Sequence, residues 1–568
     1  MAHLTQTCRI SGKQFIVSDE DQAMLSKLSP VLNGKKYDLP LPTLCPEERQ
    51  RRRMAFRNDR TLYYRKCDLT DKQILSQYPS ECAYTIYDAN IYWTDKWDPM
   101  RYGHDFDFSR PFFEQFEEFL KTVPRISVNG LNNENCDFTS FAGWSKNCYL
   151  TCTADYNEDC YYIYYALKNN DCCDACFITE SQLCYECTDV KKCYHCLYSQ
   201  NLTNSSDCIL SRDLIGCQNC FGCIGLRNKQ YYYFNEKLSP EEWQQKVDAW
   251  NLHSAIGLNN ARNEIAKFFL QFPRRAVETT GSENVLGDYV FFSQNCYHCF
   301  DVKESQDLRY CSHIINAKDS MDWDYYGSDG ELCYEMQSSA GGVKNCAFST
   351  NCWGNDSYLL YCDLCTKSKN CFGCIGLRNA EYCIFNKQYS KEEYFEMVDR
   401  IIEHMKRKPL PSGQANEWGE FFPANLSPHA YNESVATDYY PLTKEGILSQ
   451  GFRFEEVGYT SDYQGVVPST PDNINDIDES ICKQILKCET SEKLFKIIPQ
   501  EFRFYKNNEI PIPRRSPEQR YKDRMNLRNP RVIFDRNCAK CAAPMQTTFA
   551  PDRPEIVYCE KCYLENVN

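Results

Sequence analysis

Eight cysteines, Cys136, Cys148, Cys160, Cys172, Cys184, Cys196, Cys208 and Cys220, follow one another at a spacing of twelve without a slip. So short and strict a period belongs to an architecture of stacked units, and it restricts the fold more than any composition does. Six residues after each cysteine stand Ala142, Ala154, Ala166, Ile178, Val190, Leu202, Leu214 and Leu226, and the columns three and nine residues after it are mostly small. Compact residues at positions 0, 3, 6 and 9 fit a narrow parallel β-solenoid whose coil turns four times and stacks like on like. The 3.6-residue period of a helix is absent. At a strand spacing of about 4.8 Å, eight coils predict a rod of roughly 38 Å.

The residue before the column cysteine is usually Asn or Asp (Asn135, Asn147, Asp159, Asp171, Asp207, Asn219), and the residue after it is often large (Tyr149, Tyr161, Tyr185, Leu197, Ile209, Phe221). In coil geometry the segment resembles the twelve-residue β-helix of beetle antifreeze proteins. The threonine rows that make their ice face are missing here. A second, less regular rod follows, with cysteines from 296 to 383, and ends in Cys371 to Asn379, identical to Cys220 to Asn228. After each rod a capping box, Ser239 to Glu242 and Ser390 to Glu393, opens a helix suited to cover the open strand edges. A further helix is expected at about 259–272.

Sliding the chain by 471 residues places Cys45-Pro-Glu-Glu-Arg49 on Ser516-Pro-Glu-Gln-Arg520, Met54 on Met525, Arg57 on Arg528 and Cys67 on Cys538. The two ends are therefore copies of one module. In the C-terminal copy Cys538 and Cys541, then Cys559 and Cys562, have zinc-ribbon spacing, two knuckles giving four thiolates to one tetrahedral ion. In the N-terminal copy only Cys67 survives at those positions. An upstream set there, Cys8, Ser11, Cys45 and Glu48, offers two thiols, so Cys8 and Cys45 are a further candidate metal pair beside the reading of a decayed ribbon. Arginines crowd both modules: Arg51, Arg52, Arg53 and Arg57 in the first, Arg514, Arg515, Arg520, Arg524 and Arg528 in the second. Guanidinium forks match phosphate oxygens, so these residues are candidates for contact with RNA or DNA, against the plainer alternative of a solvated helix face.

The expected fold is thus mainly β: two tandem solenoids with helical caps, flanked by duplicated zinc-ribbon-like modules. The boundaries are 1–125 for the first module with an aromatic, acidic helical segment, 126–238 and 281–388 for the rods, 239–280 and 389–480 for caps and linkers, and 481–568 for the last module. Between Trp93 and Pro124 a helix should start near Arg110-Pro111. There Asp95, Asp98, Asp105 and Asp107 with His104 offer the donors of a hard-metal or acid/base site, but the expected reading is that they cap turns and fix an aromatic cluster against the first coil of the first rod. Residues 409–480 look like an extended linker packed by its aromatics.

Charge is uneven. The chain carries −14, yet residues 1–68 are +5 and residues 481–568 are +6, which leaves −25 on the body. A polyanion could be met only at the ends. Thirty-six cysteines would suit a secreted disulfide protein. The N-terminus, however, lacks an apolar signal segment, and no stretch approaches a membrane span. A cytoplasmic setting with reduced thiols is expected. Twelve of the fifteen cysteines in the first rod fall in the inward columns, so a thiol core explains the many Cys-x2-Cys pairs without metal.

The runs TDKWDP at 94–99, DFDFSRPFFEQF at 105–116, NCYL at 147–150, CFGCIGLRN at 220–228, EWGEFFP at 417–423 and PDRPEIVYCEKCY at 551–563 resemble a family of long, cysteine-rich, zinc-ribbon-ended proteins encoded by candidate-phyla bacteria. The resemblance covers nearly the whole chain. It implies the architecture and a cytosolic setting, and no activity. The departures at Ser11, Glu48 and the lost N-terminal ligands count against metal in the first module.

No catalytic residues are assigned. The sequence shows no Ser/His/Asp order, phosphate loop or dinucleotide loop, and it has few histidines. A non-enzymatic, zinc-containing scaffold is expected, its basic ends contacting nucleic acid or a ribonucleoprotein and its solenoid open to a protein partner. Its rivals are a metal or thiol store, a redox protein, and a cysteine- or metal-dependent enzyme. The oligomeric state is not encoded in these patterns.

Overall fold

The computed structural model describes residues 4–411, 413, 415–456, 465 and 467–567. Parts of the linker read over 409–480, at 412, 414, 457–464 and 466, lie outside the described residues. The protein is mainly β, built on solenoids of stacked parallel coils.

In the first rod each strand pairs with the residue twelve further on: Ala142 with Ala154, Ala154 with Ala166, Ala166 with Ile178, and so on to Leu202 with Leu214. These residues form the +6 column, which lies on a continuous eight-stranded parallel sheet. The backbone shows why the coil is four-sided. From Asn132 to Phe234 the left-handed region recurs at every third residue, with φ of 50° at Asn135, 53° at Phe138, 49° at Phe141 and 51° at Trp144. Four corners per twelve residues leave one inward side chain per side, just after each corner. Asn and Asp bear this conformation more easily than other non-glycine residues, which accounts for their place before the column cysteine.

Inside the rod the thiols are occupied. Cys148 Sγ donates to the carbonyls of Lys146 at 3.2 Å and Asn157 at 3.4 Å, and Cys172 Sγ to those of Asn170 at 3.3 Å and Ser181 at 3.6 Å. Serines do the same: Ser199 Oγ meets the carbonyls of Leu197 and Cys208. The columns therefore hold small donors that satisfy buried carbonyls two residues back and nine ahead.

The second rod departs from the twelve-residue expectation. Its first turn pairs at an offset of eleven, Val285 with Cys296. The next pair at twelve. The middle coils pair at thirteen, Met321 with Tyr334, Tyr334 with Ala347 and Ala347 with Leu360, before twelve returns with Cys371 on Cys383. The register slips between Ser312 and Ile314, opposite Gly327. There the fully buried Trp323 fills the lumen, and a Cβ on Gly327 or Gly330 would stand 2.4 or 2.2 Å from its ring. The widened coils accommodate an indole that the narrow coil cannot.

The six segments read from the sequence regroup into two compact units: residues 1–128 with 277–455, and residues 129–276 with 456–568. The first module belongs with the second rod, and the last module with the first rod. Within each unit a lateral helix lies on the end of the rod. Phe112 of helix Phe112–Thr122 meets Gly373, and Ile265 of helix Ala255–Phe269 meets Gly222. Gly222 and Gly373, at φ 59° and 63°, take a left-handed corner and leave no room for a side chain beneath the helix. This accounts for glycine at that position in both copies of the shared nonapeptide.

The aromatic segment is corrected accordingly. Phe112, Phe116 and Phe119 pack with Tyr361, Phe372 and Phe385 of the second rod's last coils, not against the first rod. Asp98 caps Met100, Asp107 accepts from Ser109, and Asp105 pairs with Lys387, as turn and surface residues. The capping boxes at Ser239 and Ser390 form as expected, and the helix sought at 259–272 runs over Ala255–Phe269.

Candidate metal centre

Each terminal module is built from the same local frame, used twice. A short antiparallel hairpin bends at a cysteine whose N–H donates to the carbonyl five residues on, and a left-handed residue four positions after the cysteine closes the turn. Cys8 with Gly12, Cys67 with Asp71, Cys488 with Glu492 and Cys538 with Ala542 all follow this rule. Further along, Cys45, Asp88 and Ser516 cap helices Pro46–Met54, Ala89–Tyr92 and Pro517–Met525, and Cys559 precedes helix Glu560–Val567. The chain thus contains four equivalent frames. The sequence offset had paired some of their positions, but the fourfold count emerges only from the shared turn geometry.

Only one frame keeps four thiols. The sulfurs of Cys538, Cys541, Cys559 and Cys562 all lie within 4.8 Å of one another, and Cys541 and Cys559 are 3.8 Å apart. Four sulfurs held tetrahedrally about 2.3 Å from one ion sit about 3.8 Å from each other, so the cluster has the size of a metal site. Its electrostatics favour thiolate. Burial pushes Cys538 up, but the amides of Cys541 and Cys559 outweigh it and bring the thiol down to about 6. The Cys559 amide donates to Cys538 Sγ at 3.3 Å. Burial and the three neighbouring sulfurs push Cys562 the other way, to about 12, as expected of thiols that must share protons until a cation replaces them.

In the other frames hydroxyl, carboxyl or apolar side chains occupy ligand positions. Ser11 Oγ lies 3.9 Å from Cys45 Sγ, and Glu48 is turned away onto Arg51. Cys8 and Cys45 therefore face each other without a third ligand. At the second frame the Asp88 amide donates to Cys67 Sγ at 3.3 Å, the same contact that Cys559 makes to Cys538. At the third, burial of Cys488 is outweighed by the hydroxyl and amide of Ser491, which bring its thiol to about 7. Among the described residues no further group of three or more His, Cys, Asp or Glu gathers as a metal site, and the column cysteines 136 to 220 remain within the rod.

The arginines expected to contact phosphate are placed otherwise. Arg53 is 0% exposed and its whole fork is filled: Nε donates to Asp324 at 2.7 Å, Nη1 to Glu335 at 2.9 Å and Nη2 to Asp322 at 3.1 Å. Arg52 bridges Glu335 and Glu420, Arg57 holds Asp59 and Ser338, and the part-buried Arg51 holds Glu48. In the other unit Arg520 joins Asp174 and Glu501, Arg524 joins Asp174, and Arg528 lies 3.4 Å from Asp189 over the Phe177 ring. Arg514 and Arg515 keep part of their surface, paired to Asp472 and to Glu489 and Asp523. Arg52, Arg53, Arg520, Arg524 and Arg528 thus fix each module to the acidic flank of a rod. No described helix is long and apolar enough to cross a membrane. No protein-family model matches this chain, and no curated protein resembles it significantly.

Proposed function

We propose that this protein is a zinc-holding solenoid scaffold of the cytoplasm, with one metal centre at Cys538, Cys541, Cys559 and Cys562 and no chemistry of its own. The observation that carries the reading is a contrast between two kinds of thiol. Four sulfurs from two knuckles gather within 4.8 Å of one another at the end of the chain, whereas the rod thiols are strung along a column and engaged with backbone carbonyls. Zinc suits an all-cysteine tetrahedron of this spacing, in which the ion closes a small domain rather than an active site. Reduced thiols in the columns support a reducing compartment, since disulfides there would remove the donors on which those carbonyls depend.

The nucleic-acid part of the expectation loses most of its named residues to buried ion pairs. A phosphate would have to displace carboxylates from Arg51, Arg514 and Arg515 to be bound there. What remains of the scaffold reading is the metal centre, with a protein partner proposed for the solenoid. Metal analysis of chain purified from a reducing cytosol tests it: about one zinc per chain is expected. Many metals per chain would favour a store, and none would remove the centre.

A further inference from the structure

In each module a short strand grips the stretch of chain that leads into a rod. Ile86–Tyr87 pairs in parallel with Arg125–Ile126, just before the first rod, and Val557–Tyr558 pairs in parallel with Arg274–Arg275, just before the second. The two grips match bond for bond. The Arg125 amide donates to the Thr85 carbonyl at 2.8 Å and the Ser127 amide to that of Tyr87 at 2.9 Å; the Arg274 amide donates to Ile556 at 2.7 Å and the Ala276 amide to Tyr558 at 3.0 Å. The offset of 471 places Thr85, Ile86 and Tyr87 on Ile556, Val557 and Tyr558. Both gripped arginines also reach a rod aspartate, Arg125 to Asp363 at 2.6 Å and Arg274 to Asp213 at 3.2 Å. Ala276 is the last residue of its unit before the chain passes into the other.

What holds the grip differs between the copies. In the first module the strand belongs to a large aromatic core, with Ile86, Tyr87, Tyr92, Trp97, Val123 and Ile126 buried together, and Thr70, Asp88 and Ile91 stand where the last module has Cys541, Cys559 and Cys562. In the last module the apolar contact shrinks to Ala276, Phe549 and Val557 with Met545. There the gripping strand runs directly into Cys559, whose amide donates to Cys538 Sγ at 3.3 Å, and the Ala539 amide of the other knuckle donates to the Val557 carbonyl at 3.0 Å. Thr547 Oγ1 donates to the Ala276 carbonyl at 2.6 Å, and Arg275 pairs with Glu560 at 2.5 Å. The partners of the 274–276 segment thus lie on the hairpin and knuckles that surround the four thiols. A small element with so thin a core draws its folding energy from its ion. We propose that the centre at Cys538, Cys541, Cys559 and Cys562 is a metal-operated clamp: zinc keeps residues 274–276 as a paired strand where the chain passes between units, and loss of zinc releases them. This rests on the metal reading above, and the first module, whose identical grip is closed by packing, is its built-in control.

Arg274 and Arg275 make the clamp a tryptic site, and Arg125 does the same for the control. Full-length chain is digested briefly with trypsin, as purified and after zinc is stripped by a chelator, with the zinc content of each sample measured and the new termini identified. Cleavage after Arg274 or Arg275 should speed up by about tenfold or more in the stripped protein, since cutting follows the population of the open segment, and should return to its first rate when zinc is added back. Cleavage after Arg125 should stay slow throughout. Cys541→Ser, at the exposed ligand, should be cut at 274–275 without chelator and gain no protection from added zinc; if that variant does not fold, the stripped and reloaded wild type decides. A chain shown to be free of zinc that still resists cutting at 274–275, a loaded chain cut there as fast as the stripped one, or equal opening at Arg125 overturns the clamp while leaving the metal centre in place. A chain that never retains zinc removes the centre and the clamp together.

Discussion

A corner at every third residue puts Phe138, Trp144 and Tyr162 at φ between 51° and 56°, a conformation that their own propensities oppose. They persist because the coil above and the coil below fix each corner through the ladder. The Asn and Asp before the column cysteines were visible in the sequence, but their cause was not, since a period reports which residues recur and not which backbone they recur on. The lumen of the second rod holds a residue with a sharper consequence. Asp356 is buried, its Oδ1 accepts from the Ser368 amide at 2.7 Å and its Oδ2 has no partner. Burial pushes its carboxyl up to about 8. The folded state therefore keeps a proton that the unfolded chain releases near pH 4. The stabilisation is complete below about pH 4 and is lost as pH rises through about 8, by on the order of 5 kcal/mol. Asp356→Asn should match wild type in thermal melts near pH 4 and exceed it near pH 9. A variant with no advantage at the higher pH would show that the carboxyl is ionised in the fold.

At the scale of the element, the lumen columns predict their own tolerance. Cys172 is fully buried and serves as a donor to two carbonyls, the task that Ser199 performs elsewhere. Cys172→Ser should therefore be nearly neutral, Cys172→Ala should cost about 1 kcal/mol, and Cys172→Leu roughly 1–3 kcal/mol by overpacking. Chemical denaturation of the four proteins gives the order, and a tolerated leucine would contradict the narrow lumen. In the C-terminal frame, Cys559→Ala should abolish metal retention and loosen the hairpin Phe534–Thr547 and helix Glu560–Val567, because such a small element draws its folding energy from the ion. Hydrogen exchange should rise there and stay low in both rods. The four-cysteine cluster was legible because its members lie within 25 residues of chain. The thirteen-residue coils were obscured because the eye follows cysteines, and Trp323 with Gly327 and Gly330 carries the irregularity. The ion pairs of the arginines were not legible because their counter-charges stand far away in sequence: Asp322, Asp324 and Glu335 are 269 to 282 residues from Arg53.

The whole molecule is arranged so that the first module is completed by a rod it does not adjoin in sequence, and the last module likewise. Each unit has its own aromatic core and its own thiol lumen: Phe112, Tyr361 and Phe385 with Cys346 and Cys371 in one, Tyr185, Phe502 and Tyr505 with Cys172 and Cys196 in the other. Duplication of the modules could be read from the sequence, whereas the exchange of partners could not, since it rests on ion pairs and packing between distant segments. A matched pair of substitutions tests the division. Arg53→Met leaves Asp322, Asp324 and Glu335 buried with less compensation, and Arg520→Met does the same to Asp174 and Glu501. Breaking a buried pair from one side costs about 3–5 kcal/mol, enough to lower a melting transition by roughly 5–10 °C. Scanning calorimetry of the full chain should show Arg53→Met lowering the transition of residues 1–128 with 277–455 and Arg520→Met lowering that of residues 129–276 with 456–568. Proteolysis during the scan assigns each transition by the fragments it releases. If either substitution moves both transitions together, the two cores unfold as one cooperative body and the division fails as a description of stability.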